Sequence, residues 1–150
     1  MNIQGTYLLP LPPDRVFAQL VDPAVLQQAI PGCENMEKKA EDEYDARLKI
    51  GIASLKGSFT GKVRLEDKQP PHKFTLHMEG KGAPGFVNGS SVIELKEEGK
   101  GTKLTHTSSV QVGGLIAAVG SRVVEAAAKK LAGEFFQKFT QILAKTPPAP

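Results

Sequence analysis

GGLIAAVGSRVVEAAAKKLAGEFFQKFTQILAK, residues 113–145, is the stretch on which the fold turns. It is the only segment long and regular enough for a major helix: about 30 residues at 1.5 Å each give a rod of roughly 45 Å. Leu115, Ile116, Val119, Val123, Ala127, Leu131, Phe135, Phe139 and Ile142 recur three or four apart, the mark of a helix with one buried face. Lys129, Lys130, Glu134, Lys138 and Lys145 fall mainly outside that stripe. Such a helix needs a broad surface to lie on, and a sheet is the natural partner.

The residues before it supply that sheet. Residues 2–9 alternate, with Ile3, Gly5, Tyr7 and Leu9 on one side, as in a half-buried strand. Pro10, Pro12 and Pro13 end it. Residues 14–21 read as a short helix, and Asp22-Pro23, an N-cap acid followed by proline, starts a second over 24–30. Pro31-Gly32 stops that one. Strands follow at 33–39, 43–52, 55–66, 72–80, 88–97 and 103–112, joined by turns at Pro70-Pro71 and at 98–101. Strands linked by short turns make an antiparallel sheet. The predicted architecture is α+β: a curved antiparallel sheet of about seven strands wrapped on a long C-terminal helix, with two short helices after strand 1. This is the helix-grip arrangement, one domain over 1–145, followed by a disordered Pro-rich tail at 146–150.

Composition excludes several function classes. The chain has 150 residues and a formal charge of +3 from 19 basic and 16 acidic residues, too weak a balance, with no Arg-rich stripe, to point to nucleic acid. One cysteine permits neither an internal disulfide nor a Cys-based zinc site. No basic region followed by an apolar run marks a signal peptide, and no stretch approaches 18 apolar residues. No GxSxG, HExxH or P-loop motif is present, and no catalytic pair emerges.

Four stretches carry a family resemblance: Ile30-Pro31-Gly32-Cys33-Glu34; the run from Gly80 through Pro84, Gly85 and Phe86 to Gly89; Val112-Gly113-Gly114-Leu115-Ile116-Ala117-Ala118-Val119-Gly120; and Ala128-Lys129-Lys130 leading to Phe135-Phe136. Over residues 2 to 144 the chain resembles the CoxG family, the G subunit of carbon monoxide dehydrogenase, within the START-like (SRPBCC) superfamily. The resemblance implies a non-enzymatic accessory protein of a molybdenum hydroxylase of the carbon monoxide dehydrogenase type, linking that enzyme to the membrane respiratory chain. It implies a cytoplasmic location, with peripheral contact at the inner face of the cell membrane. Some family members continue into a linker and an anchor, which residues up to Pro150 do not include. A START-like cavity in such a protein suggests a bound quinone or lipid, with no covalently held cofactor and no metal. Two other readings stand beside it: a ligand-free adaptor that recruits the enzyme, and a small START-like enzyme.

Individual residues sharpen these expectations. Gly114, Ala117, Ala118 and Gly120 thin the first half of the helix, whereas Phe135, Phe136, Phe139, Ile142 and Leu143 fill the second. The cavity is therefore expected beneath the first half. Its apolar lining would be Phe59, Leu76, Met78, Leu115, Val119 and Val123, with Phe86 and Val87 at the mouth and Leu26 and Ile30 as the opposite lip. Gly80-Lys81-Gly82-Ala83-Pro84-Gly85 matches GxGxxG, but a strand follows it where a dinucleotide site needs a helix. It reads as a hairpin loop, or as a glycine-mobile gate. His72 and His77 point to opposite faces of one strand. His106 shares an inner face with Leu104, Ser108, Val110 and Val112; it faces either an internal partner or a ligand carbonyl. Cys33, beside Glu34, reads as a structural thiol.

Overall fold

The computed structural model describes residues 1–51 and 56–145. In chain order it contains β1 (Asn2–Leu9), α1 (Pro13–Leu20), α2 (Pro23–Ala29), β2 (Cys33–Ala40), β3 (Glu43–Ile50), β4 (Gly57–Gln69), β5 (Lys73–Gly82), β6 (Gly85–Glu98), β7 (Gly101–Gly113), α3 (Leu115–Ala118) and α4 (Ser121–Ala144). The expected strand ends at Ile52 and Leu55 and the tail at 146–150 lie outside the described residues. The seven strands form one antiparallel sheet in the order β1-β7-β6-β5-β4-β3-β2. β1 thus pairs with the last strand and β2 starts the far edge, while α1 and α2 carry the chain between the two edges. The expected helix-grip architecture is the one observed.

The short helices begin where proline chemistry dictates. Pro13 opens α1 with Asp14 in the first turn. In α2 the Asp22 carboxylate accepts a hydrogen bond from the Ala24 amide at 2.9 Å, with Pro23 at the first helical position. A cap of this kind contributes about 1 kcal/mol.

The apolar interior divides in two. The larger cluster joins Val16, Phe17 and Leu20 of α1, Val25 and Ala29 of α2, the inner face of the sheet through Tyr44, Val63, Leu65, Phe74, Ile93, Leu95 and Leu104, and Phe136, Phe139 and Leu143 of α4. The smaller joins Phe59 of β4 to Ile116 of α3 and to Val124 and Ala127 of α4.

Two sequence expectations need correction. The C-terminal helix is not continuous over 113–145. Gly120 adopts φ 99° and ψ 149°, a region essentially closed to residues with a side chain. It separates the single turn of α3 from the 24 residues of α4. The buried stripe is also partly rotated from the predicted one. Ile116, Ala127 and Phe139 are buried as expected, but so are Val124, Phe136 and Leu143, whereas Leu115 is 71% and Val123 40% exposed. The apolar residues come in adjacent pairs (Val123-Val124, Phe135-Phe136, Ile142-Leu143). Neighbours in a helix differ by about 100° in direction, so periodicity does not decide which member of each pair leads.

The second correction concerns the glycine-rich loop. β5 runs to Gly82 and β6 starts at Gly85, and these two residues pair, leaving Ala83-Pro84 as a two-residue turn. A Cβ on Gly85 would lie 2.1 Å from the Gly113 carbonyl oxygen, and one on Gly82 2.3 Å from that of Ser58. These glycines permit close backbone approach.

Two substitutions separate packing from backbone geometry. Phe139 is fully buried, so Phe139→Ala should lower the unfolding free energy by about 3–5 kcal/mol. A Cβ at Gly120 meets nothing within 4 Å, so Gly120→Ala should cost about 1–3 kcal/mol from backbone strain alone. Urea unfolding of both variants checks the pair.

A candidate ligand-binding cleft

Strand alternation and register determine what faces α4. Every second residue at positions 3–9 of β1, 102–112 of β7, 87–95 of β6, 74–82 of β5, 59–65 of β4 and 44–50 of β3 points inward, and none of these is Asp, Glu, Lys or Arg. The inner residues of β7, β6 and β1 form three layers. Val112, Val110, Val87, Gly89 and Met1 make an apolar end. Ser108, His106, Ser91 and Gly5, with Ile3 beside Ser108, make a polar middle. Leu104, Ile93, Leu95, Tyr7 and Leu9 belong to the solid end.

The apolar end is not filled. α4 runs against β1 and α2, leaving inward residues of β5 and β6 only partly covered. Met78 faces inward yet is 38% exposed, and Leu76 and Val87 are half-buried. A Cβ built on inward-facing Gly80 would meet nothing within 4 Å. A pocket of about 470 Å³ lies between the end of β7 and the α3–α4 junction, lined by Met1, Phe86, Val110, Gln111, Val112, Ala117, Ser121 and Val124. That volume lies within the usual range for a small-molecule site.

Of the residues expected to line a cavity, the fold brings Phe59, Val87 and Val119 together in the smaller cluster. Leu76 packs on the main core, and Met78 borders the uncovered strip. Leu26 is buried in α2, and Ile30 is half-buried at its C-cap. Phe86 and Val87 lie on opposite faces of β6, and the Phe86 ring covers Gly113, where a Cβ would come within 2.1 Å. Leu115 and Val123 point to solvent. Ile116 and Ala127 were expected on the buried side of the helix and Val112 on the inner face, but not in a cavity lining; Met1 and Val124 of this cluster were missed, as were the roles of Ser91 and Ser108. Alternation along β6 was the available signal for Ser91; Val124 had none beyond an ambiguous pair.

His106 has the internal partner that was one of its two readings. It is 4% exposed, and its Nδ1 lies 3.0 Å from Ser108 Oγ, which donates to Ser91 Oγ at 2.8 Å. Its ring lies beside the stacked pair Tyr7–Phe136, whose centroids are 4.2 Å apart and stand 6.0 and 5.3 Å from its own. A Cβ on Gly5 would lie 2.6 Å from Nε2, so glycine makes the space the imidazole occupies. Burial holds the His106 pKa below its ordinary value, because the cation would lose its hydration.

Other features carry less chemistry. Burial, reinforced by the Glu34 charge, raises the Cys33 pKa against the lowering effect of the Asn35 backbone, and the thiol donates to the Asn35 carbonyl at 3.4 Å, so it stays protonated and unreactive. A hollow of about 590 Å³ on the outer face is polar, with Lys39, Lys62, Arg64, His77, Asn88 and Ser90 among its lining. There His77 meets Glu66 at 2.9 Å. Among the described residues no His, Cys, Asp and Glu group could hold a metal.

The depressed His106 pKa fixes the sign of one pH effect. The unfolded chain takes up the proton near the ordinary value of 6.5, whereas the folded protein resists it. Stability should therefore fall as pH drops below about 6.5, and stop falling once the folded pKa is passed. The slope should be smaller in His106→Asn, as thermal unfolding across pH 4–8 would show.

Comparison with known proteins agrees with this architecture. The family model for CoxG, the G subunit of carbon monoxide dehydrogenase, matches residues 5–144. A conserved protein from Geobacillus kaustophilus superposes with a TM-score of 0.93 at 39% identity, covering 97% of this chain and 96% of that one. Protein CV1439 from Chromobacterium violaceum gives 0.73 at 14% identity, over 97% and 99% of the two chains. Ara h 8.0201 gives 0.71 at 13% identity, also over 97% and 99%. The last two show the fold alone. No curated protein is similar enough to count as a relative. With its family model matched from residue 5 to residue 144 on a helix-grip fold, the chain belongs to the carbon monoxide dehydrogenase CoxG family.

Proposed function

We propose that this chain is a non-enzymatic accessory protein of a carbon monoxide dehydrogenase-type molybdenum hydroxylase, and that it carries an apolar molecule, a quinone or a lipid, in the cleft between the sheet and the start of the C-terminal helices. The accessory role rests on family membership. The carrier role rests on one observation above all: the inner face of β1 and β3–β7 carries no charged side chain and leaves open space over Gly80 and beside Met78, while the other end of the same interior is solid. Water in such a cleft finds few polar partners, and an apolar ligand would gain about 25 cal/mol for each Å² removed from water.

α3 supplies a movable wall in this reading. It is a single turn held between Gly114 at φ 75° and Gly120 at φ 99°, and Ile116 reaches inward into the smaller cluster. Its contact with the β5–β6 turn includes the Ile116 amide donating to the Pro84 carbonyl at 2.8 Å. Swinging this turn outward would open the cleft at the loss of few contacts. Exchange of a quinone would connect the hydroxylase to the respiratory chain. Among the described residues no helix is long and apolar enough to cross a membrane; the contact proposed is peripheral, through exposed Phe86 and Leu115.

A ligand-free adaptor is the second reading, favoured by those same exposed side chains, which would serve equally to dock a protein. Native mass spectrometry and solvent extraction separate the two. The carrier should release an apolar molecule, or take one up when it is supplied; a protein that does neither is the adaptor. Gly80→Val provides a matched control. Its side chain enters open space in a strand, where valine is favoured, so stability should be kept within about 1 kcal/mol while uptake falls.

A further inference from the structure

We infer that Ser91, Ser108 and His106 form a neutral hydrogen-bonding anchor for the carbonyl oxygen of an apolar ligand, at the inner end of the cleft. The inference rests on the carrier reading and specifies the chemistry of what is carried.

Placement comes first. Along β7 the inward residues run Val112, Val110, Ser108, His106, and the first two line the 470 Å³ pocket. Alternate residues of a strand are about 7 Å apart, so Ser108 lies one step deeper than the pocket wall. Ser91 pairs with Ser108 on one side and with Leu76 on the other. It therefore borders the strip where Met78 is exposed and Gly80 faces open space. Gly89, next inward on β6, leaves ordinary van der Waals room, its nearest neighbour standing 3.6 Å from a built Cβ.

Proton counting comes second. A neutral imidazole and two hydroxyls hold three protons. The two hydrogen bonds His106 Nδ1···Ser108 and Ser108···Ser91 use two of them. With the proton on Nδ1, the bonds run toward Ser91, whose hydroxyl hydrogen is left over. Ser91 is 6% exposed, and no protein acceptor for that hydrogen is found among the described residues. With both hydroxyls reversed, the spare donor moves to Nε2, which stands over Gly5 beside the stacked rings of Tyr7 and Phe136. A carbonyl oxygen at Ser91 would accept the spare hydrogen and hold the first arrangement.

Electrostatics decides the class of headgroup. No side chain on the inner face of β1 and β3–β7 is a cation or carboxylate, burial keeps His106 neutral, and the Met1 ammonium at the pocket wall already donates to the Val110 carbonyl at 3.1 Å. A buried phosphate or ammonium would be unpaired there, at a cost far above that of a neutral carbonyl. A ketone- or quinone-type oxygen suits the anchor, and a charged lipid headgroup does not.

Binding of three probes tests this by fluorescence titration: an alkyl naphthoquinone, the matching alkyl naphthalene without carbonyls, and dodecyl phosphate. The quinone should bind more tightly than the hydrocarbon, and the phosphate weakest. Ser91→Ala should weaken the quinone alone by about three- to tenfold, the loss of one hydrogen bond. Ser108→Ala should do the same by cutting the chain, with thermal unfolding confirming that both variants are folded. Nitrogen NMR of His106 should shift toward the Nδ1-protonated form when the quinone binds, and this response should vanish in Ser108→Ala. Equal weakening of quinone and hydrocarbon, or an unmoved histidine, would overturn the anchor while leaving the carrier intact. Failure of every probe to bind would overturn both.

Discussion

The packing of Phe136, Phe139 and Leu143 against one half of the sheet is the interaction on which the rest depends. These side chains, with Phe17, Phe74 and Leu104, account for a solid core that ties α1, α2, α4 and the middle strands together. Because that half holds the larger buried cluster, the fold can leave the other half thin. Only Val124 and Ala127 of α4 and Ile116 of α3 are buried there. The cleft exists because the helix is anchored elsewhere.

The boundary between the two halves is polar without being charged. Tyr7, His106 and Phe136 stack across it, and two serines continue the line along β7 and β6. A buried imidazole is tolerated because it is neutral and bonded; a lysine or aspartate in its place would need a partner that the inner face does not supply. The same neutrality restricts what the cleft can hold. On the outer face of the sheet, by contrast, charged side chains meet one another, as His77 does Glu66.

The GxGxxG run shows how a motif is reassigned by its context. Its glycines bring β5 and β6 to a two-residue turn and let that turn meet β7 and α3 backbone to backbone. No helix N-terminus follows to receive a phosphate. The hairpin reading of this segment is the one observed, and the left-handed angles lie instead at Gly114 and Gly120, on either side of α3. In the sequence those glycines looked like part of the helix's own thinning, since an apolar repeat running through Gly120 conceals a break.

Element types and order were legible from the chain alone, because strand alternation, the Asp22-Pro23 start and the aromatic second half of the helix are local signals that short-range sterics enforce. The uncharged inner face was implicit in the same alternation. Four things required the tertiary structure: the rotation of α4, the break at Gly120, the separation of Phe86 from Val87 onto opposite faces, and the meeting of His106 with Ser108 and Ser91. Each depends on strand register or on which of two adjacent apolar residues turns inward. Those choices are made by the competition of whole surfaces for burial, and that competition is decided between residues far apart in the chain.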